Sequence, residues 1–308
     1  MLVECVPNFS EARRPEVVAA IRDAIAGDGG IVLDVSSDAW HNRSVITFVA
    51  PPERMVAAAL AGVREAKRRI DLNAHTGCHP RLGAADVVPL VPLAGVTMDD
   101  CVALARELGQ RIGTELELPV YLYEYAATRP ERRNLADVRR GGFEGLRELV
   151  GVDPTRDPDF GPRRLHPTAG AVAVGARDPL VAFNVHLGPA SNLPVARAVA
   201  RAVRHSSGGL RGVKALALEV DGQAQVSMNL VALDLTPMHE AFELVRREAE
   251  ARGVAVTWSE IVGLVPEREL VAAGAQALRL ARFTPAQLLE RRVREEAGQF
   301  VDGPLATE

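Results

Sequence analysis

The sequence predicts an α+β fold made of two ferredoxin-like βαββαβ halves, with helices covering one face of each sheet. Three observations predict it. Short β-branched runs bounded by Gly and Pro alternate with longer segments whose apolar residues recur every three to four positions. The order of these segments is βαββαβ near the start of the chain and βαββαβ again in its second half. Between the two lies "GVDPTRDPDFGPRRLHPTAG", rich in Pro and Gly and without periodicity, the best linker candidate in the chain. The division expected from it is residues 1–165 and 166–308. No sequence identity is visible between the halves, so the repeat is one of element order.

Each element follows from its residues. "LVECVP" reads as a buried strand. "EARRPEVVAAIRDAIAG" spaces Val17, Val18, Ile21 and Ile25 along one helical face, and glycines end it. Ser10 and Glu11 of "NFSE" look like the start of that helix. "GIVLDV" and "RSVITFVA" are strands, and "PPERMVAAALAGVREAKRRIDL" is a helix with proline in its first turn. "DVVPLVP" is a further strand, placed near a sheet edge by Pro89. Thr97 and Asp100 give the next helix a capping-box start, and "VYLYEY" is a strand. In the second half "PLVAFNVHL" is a strand and "LPVARAVARAVRH" a helix. "VKALALEV" and "QAQVSMNLVAL" form a hairpin through Asp221-Gly222. "TPMHEAFELVRREAEAR" is a helix capped by Thr236, and "VAVTWSEIVGLVP" returns as a strand.

Composition excludes several function classes. The net charge is −4, so no basic surface points to nucleic acid or to an anionic membrane. The cations are nearly all arginine, a pattern we read as codon bias, with Lys67 and Lys214 the only lysines. No signal peptide or membrane-length apolar run is present. Cys5, Cys78 and Cys101 make no disulfide framework, which fits a reducing cytoplasm.

Four clusters are candidates for chemistry. In "DLNAHTGCHPRLGAADVVP", His75 and His79 stand four apart, as helical metal ligands often do. Gly77 lies between them and Pro80 follows His79, which disfavours a helical ligand face. A zinc site of His75, Cys78 and His79 is therefore weakly supported. A polar packing loop and a functional loop stay open. In "SSDAWHNRSV", Asp38 could orient or charge-stabilise an imidazole and Arg43 could grip a carboxylate. Equally, Asp38 and Asn42 could serve a turn. In "DFGPRRLHPTAGAVAVGARDP" no phosphate-loop pattern is complete, though Gly170 and Gly175 would let backbone approach a flat ligand. Asn8 in "NFSE" could face a cleft.

Together these segments resemble the formiminotransferase family. The likeness rests on "VECVPNFSE", "HNRSVITFVAPPE", "HTGCHPRLGAADVVP", "LPVYLYEYAA", "DFGP", "GARDPLVAFNVHL", "QVSMNL" and "SEIVGLVP", in collinear order over nearly the whole chain. The resemblance implies transfer of a formimino group from N-formimino-L-glutamate to N5 of tetrahydrofolate, releasing glutamate, in histidine breakdown. It implies two ferredoxin-like halves with folate between them, no metal, a cytoplasmic homodimer, and a separate cyclodeaminase acting downstream. It makes His79 the catalytic acid/base and Asp38, chosen over Asp34, the nearby anion. Arg177 joins them, with Arg43 and Arg81 to hold carboxylates. Asn8 and Asn42 are expected at the substrates, and Gly161, Pro162, Thr168 and Gly170 in the folate-binding stretch. Alternatives are a formyl donor, a non-catalytic folate-binding module and a metal-dependent hydrolase.

Overall fold

Alternating buried residues along the strands of the N-terminal part face two different clusters, so this sheet is covered on both sides. The computed structural model describes residues 1–77, 80–289 and 291–292. The chain divides into two units, residues 1–180 with 262–264, and residues 181–261 with the segment from Val265 onward.

The first unit runs β1 (Leu2–Cys5), β2 (Asn8–Phe9), α1 (Pro15–Gly27), β3 (Ile31–Asp38), β4 (Arg43–Ala50), α2 (Pro52–Arg69) and β5 (Ala85–Ala94). It continues with α3 (Met98–Glu115), β6 (Val120–Glu124), α4 (Leu135–Val138), α5 (Gly142–Leu149) and β7 (Val172–Ala176). Through β5 this is the predicted βαββαβ order. β5 pairs with β1 and β2, those pair with β4, and β4 pairs with β3, all antiparallel. That is the ferredoxin-like strand order. β7 and β6 then extend the sheet in parallel beyond β5.

Helices α1, α2 and α3 bury the stripes their spacing promised. Val17, Ile21 and Ile25 meet Met55, Leu60 and Val63, and Cys101, Leu108 and Ile112 join the same cluster. Thr97 and Asp100 cap α3 reciprocally, as read from the sequence. On the other face Val87, Tyr121, Tyr123 and Ala173 pack against Val138 of α4 and Leu146 of α5. Neighbouring residues Val88, Leu122 and Val174 point to the first cluster, so the two clusters lie on opposite faces.

Two readings change in this unit. Pro89 lies in a central strand, with β7 on one side and β1 on the other. It is tolerated because the register sets it opposite Val6, at the break between β1 and β2, where the chain already departs from a regular ladder. The Pro-rich stretch read as a linker is part of the first unit. Asp159 forms a buried ion pair with Arg132 at 2.5 Å, and Phe160 lies against Gly109 and Gly113 of α3. The chain then passes through β7 before the division at Leu180.

The second unit runs β8 (Val181–Pro189), α6 (Leu193–Val203), β9 (Val213–Val220), β10 (Gln223–Leu230), α7 (Met238–Glu250), β11 (Trp258–Val262) and α8 (Glu267–Ala277). Its sheet order is β11-β8-β10-β9, again the ferredoxin-like arrangement. Asp221 and Gly222 both take positive φ, 48° and 72°, as a tight primed turn requires. Thr236 does not cap α7. Its hydroxyl donates to the Arg211 carbonyl at 2.7 Å, while Glu269 accepts from the Met238 amide at 3.0 Å. α6 and α7 cover one face with Val199, Val203 and Val245 over Val185 and Val226. The other face carries Asn184 and Gln225 donating to Glu260, with Trp258 stacked on His186.

Candidate active site

A polar pocket in the first unit is lined by Ser10, His41, Asn42, Arg43, His75, Arg81 and Asp86. The sheet explains why these distant residues meet. Asn8 and Phe9 thread between the start of β4 and the start of β5, pairing Asn8 with both Val45 and Val87. The loops that feed β4 and β5 therefore converge at one end of the sheet.

Arg43 opens β4 and is the best-anchored cation of the pocket. Its Nε donates to Asn8 Oδ1 at 2.8 Å, and its Nη1 stands 4.0 Å from Asp86 Oδ2. Burial, and then the Arg139 guanidinium, press Arg43 down to about 10, against the pull of Asp86. It stays a cation at neutral pH. Asp86 is 2% exposed. It accepts from the Leu82 amide at 2.8 Å and pairs with Arg139 through its other oxygen. Arg81 reaches Glu144 of α5 at 2.9 Å. The pocket thus holds guanidiniums fixed by protein partners at its rim and base, an arrangement suited to carboxylate groups.

The loop from Asp38 to Arg43 is built by its own polar side chains. Asp38 Oδ1 accepts from the amides of Trp40 and His41 at 2.8 and 2.9 Å. Its Oδ2 meets His41 Nδ1 at 2.5 Å. Asn42 takes positive φ, 49°, a conformation that Asn tolerates better than most residues. Its Oδ1 accepts from Ala12 N at 2.9 Å and its Nδ2 donates to Thr76 O at 3.1 Å. Asn42 thereby ties three loops together. Asn42→Ala removes both bonds and puts at positive φ a residue that tolerates it less well than Asn. The expected destabilisation is about 2–4 kcal/mol, read as a lower urea midpoint at unchanged slope.

The loop between α2 and β5 is held at both ends. Leu72 N donates to Thr168 O at 2.8 Å, and Ala84 N and Ala171 N bond Ala169 O and Leu82 O at 2.9 and 3.1 Å. Gly170 makes this clamp possible: its φ is +68°, and a Cβ would meet Leu82 O at 2.2 Å. His75 Nε2 donates to Asn42 O at 3.0 Å. Burial is the main cause that lowers the His75 pKa, so the ring is neutral at pH 7. Cys78 and His79 lie outside the described residues. His75 and Arg81, on either side of them in sequence, both line the pocket.

The expected site residues thus fall into groups. Asn42, Arg43 and Arg81 line the pocket, and Asn8 stands behind Arg43. Asp38 touches the pocket through His41, whereas Asp34 lies four residues back along β3, about 13 Å away. Thr168 and Gly170 belong to the clamp. Gly161 and Pro162 sit elsewhere, where Gly161 at φ +82° approaches Leu118 O, so its conformation serves the fold. Arg177 follows β7; its amide bonds Leu90 O, four residues along β5 from Asp86, and it is not among the pocket-lining residues. Three pocket residues escaped the sequence reading: His41, Asp86, and Ser10, which does not start the helix, since α1 begins at Pro15 and the Ser10 hydroxyl donates to Gly83 O at 2.8 Å. The Asp-x-x-His spacing of Asp38 and His41 was the one signal available for them. Among the described residues no group of three or more His, Cys, Asp or Glu is placed to hold a metal ion.

Residues 2–177 match the family model described as formiminotransferase domain, N-terminal subdomain, and residues 182–285 match the one described as formiminotransferase domain. The chain is 49% identical to the glutamate formimidoyltransferase of Thermoplasma acidophilum, covering 96% of this chain and 98% of that protein. It is 42% identical to the enzyme of the same name from Streptococcus pyogenes, covering 95% and 98%. The formimidoyltransferase-cyclodeaminase of Rattus norvegicus is 43% identical over 89% of this chain, which spans 52% of that longer protein.

Proposed function

The chain belongs to the formiminotransferase family, and from that premise we propose that it is a glutamate formimidoyltransferase. It moves the formimino group of N-formimino-L-glutamate to N5 of tetrahydrofolate and releases L-glutamate. The observation that carries this reading is the near full-length match to single-activity relatives of that name, joined to a pocket of guanidiniums and imidazoles.

The chemistry divides among the residues as follows. Arg43 and Arg81 hold the carboxylates of the donor. N5 of tetrahydrofolate loses a proton as it attacks the formimino carbon, and the glutamate nitrogen gains one as it leaves. His79 takes the proton from N5, since an imidazole titrates near neutral pH. The adduct between the two steps is rich in positive charge, and Asp38 supplies the nearby anion. Arg177 adds positive charge for the substrates' carboxylates, and the stretch from Gly161 to Gly170 receives the folate. We place the enzyme in histidine breakdown, as a cytoplasmic homodimer that works upstream of a separate cyclodeaminase.

The test is a direct assay of the purified protein with tetrahydrofolate and either N-formimino- or N-formyl-L-glutamate. Formation of 5-formimino-tetrahydrofolate from the first donor, with the second slower by tenfold or more, is the expected result. Faster transfer from the formyl donor would reassign the substrate. Folate binding with no turnover of either donor would sink the transferase reading in favour of a binding module.

A further inference from the structure

The His41 imidazole, paired with Asp38 at the pocket, has no part in the scheme above. The Asp38 carboxylate is fixed twice: two backbone amides hold Oδ1, and His41 Nδ1 lies 2.5 Å from Oδ2. Burial alone would raise the Asp38 pKa, but these bonds outweigh it and hold the carboxyl below its usual range. An ionised carboxylate only accepts, so the proton of the His41 ring sits on Nδ1 and Nε2 becomes the nitrogen that exchanges protons. His41 lines the same pocket as His75 and Arg81. Gly77 passes close to this residue, since a Cβ there would meet the His41 carbonyl at 2.4 Å.

Formimino transfer moves protons at two different nitrogens. One ring serving both must leave the first nitrogen and reach the second within the lifetime of the adduct. Two rings remove that requirement. We propose that His41, positioned by Asp38, is a second catalytic acid–base residue, protonating the departing glutamate nitrogen while His79 deprotonates N5. The inference rests on the transferase reading above. The N5 lone pair forms the bond to the formimino carbon while the carbon–nitrogen π pair moves onto the imino nitrogen, and the N5 proton passes to His79. When the adduct collapses, the bond from that carbon to the glutamate nitrogen breaks. Its electron pair stays on the nitrogen, which takes the proton from Nε2 of the His41 imidazolium. The carbon–nitrogen double bond reforms, and the two rings exchange protons with solvent before the next turnover.

The charges that bear on His41 come from every side of the pocket. Asp38 and Asp86 are anionic. Arg43, Arg81 and Arg13 are cationic, the last through its bond to Ala39 O, and His75 is neutral. Asp38 meets the ring at Nδ1.

His41→Gln is expected to lower kcat about 100-fold. KM for both substrates stays within about threefold, and one limb of the kcat–pH profile disappears. Asp38→Asn keeps an oxygen for the two backbone amides but presents an NH2 group to Nδ1, which forces the ring proton onto Nε2. That variant is expected to lose activity to a similar degree while Asp38→Glu recovers part of it. Nitrogen NMR of histidine-labelled protein reads the tautomer without any turnover: Nδ1–H in the wild type, Nε2–H in Asp38→Asn. Turnover of His41→Gln within fivefold of wild type overturns the proposal, as does an Nε2–H tautomer in the wild-type protein. A wild-type protein that moves no formimino group would fail the transferase reading instead, and the NMR measurement would still decide whether Asp38 sets the ring.

Discussion

Replacing His79 by alanine is expected to lower kcat for formimino transfer about 10²- to 10⁴-fold while tetrahydrofolate still binds. The size follows from what is lost. Without a base at N5, the attacking nitrogen must shed its proton to water as the new bond forms. Folate binding depends instead on the stretch from Gly161 to Gly170, and donor binding on Arg43, which Asn8 holds. Calorimetric titration with tetrahydrofolate and a steady-state assay on the same preparation separate the two effects. Near-normal turnover of the variant would remove His79 from its role. The companion measurement is the double variant with His41→Gln. If both rings serve one proton inventory, the double variant falls little below the worse single one, because residues that act as a unit are not additive.

The ferredoxin-like halves were legible because their signals are local. The spacing of Val17, Ile21 and Ile25, the Thr97–Asp100 pair and the Asp221-Gly222 turn each act within a few residues, and each appears in the structure as read. What was not legible depends on partners far away in sequence. The Pro- and Gly-rich run around residue 160 looks like a linker because its stabilising contacts are to other segments. Asp159 finds Arg132, and Thr168 O takes the amide of Leu72. Pro89 resembles an edge signal until the break at Val6 is known to lie opposite it. The same holds in the site. Asp38 and His41 are three residues apart, so their pairing was available in principle. Asp86 is a single carboxylate in an apolar run whose partner Arg139 lies 53 residues on, and no local pattern announces it.

That hidden carboxylate carries the largest expected effect on stability. Asp86→Ala is expected to destabilise the first unit by about 3–5 kcal/mol, because breaking a buried ion pair leaves the remaining charge uncompensated. Asp86 is 2% exposed and pairs with Arg139, while Arg43 stands 4.0 Å away. The variant therefore strands the Arg139 guanidinium, takes a nearby anion from Arg43, and also removes the acceptor of the Leu82 amide. Asp86→Asn separates these contributions. It retains an acceptor for Leu82 and loses only the charge, so it falls between wild type and alanine in urea unfolding. Against burial and Arg139, Asp86 and Tyr123 both raise the Arg43 pKa. A second substitution checks the cause. Pairing Asp86→Ala with Arg139→Met takes away one stranded charge and fills its space with apolar volume. The double variant is then more stable than Asp86→Ala alone by about 1–3 kcal/mol. If Asp86→Ala unfolds within about 1 kcal/mol of wild type, the carboxylate is not the counter-charge on which this end of the sheet depends.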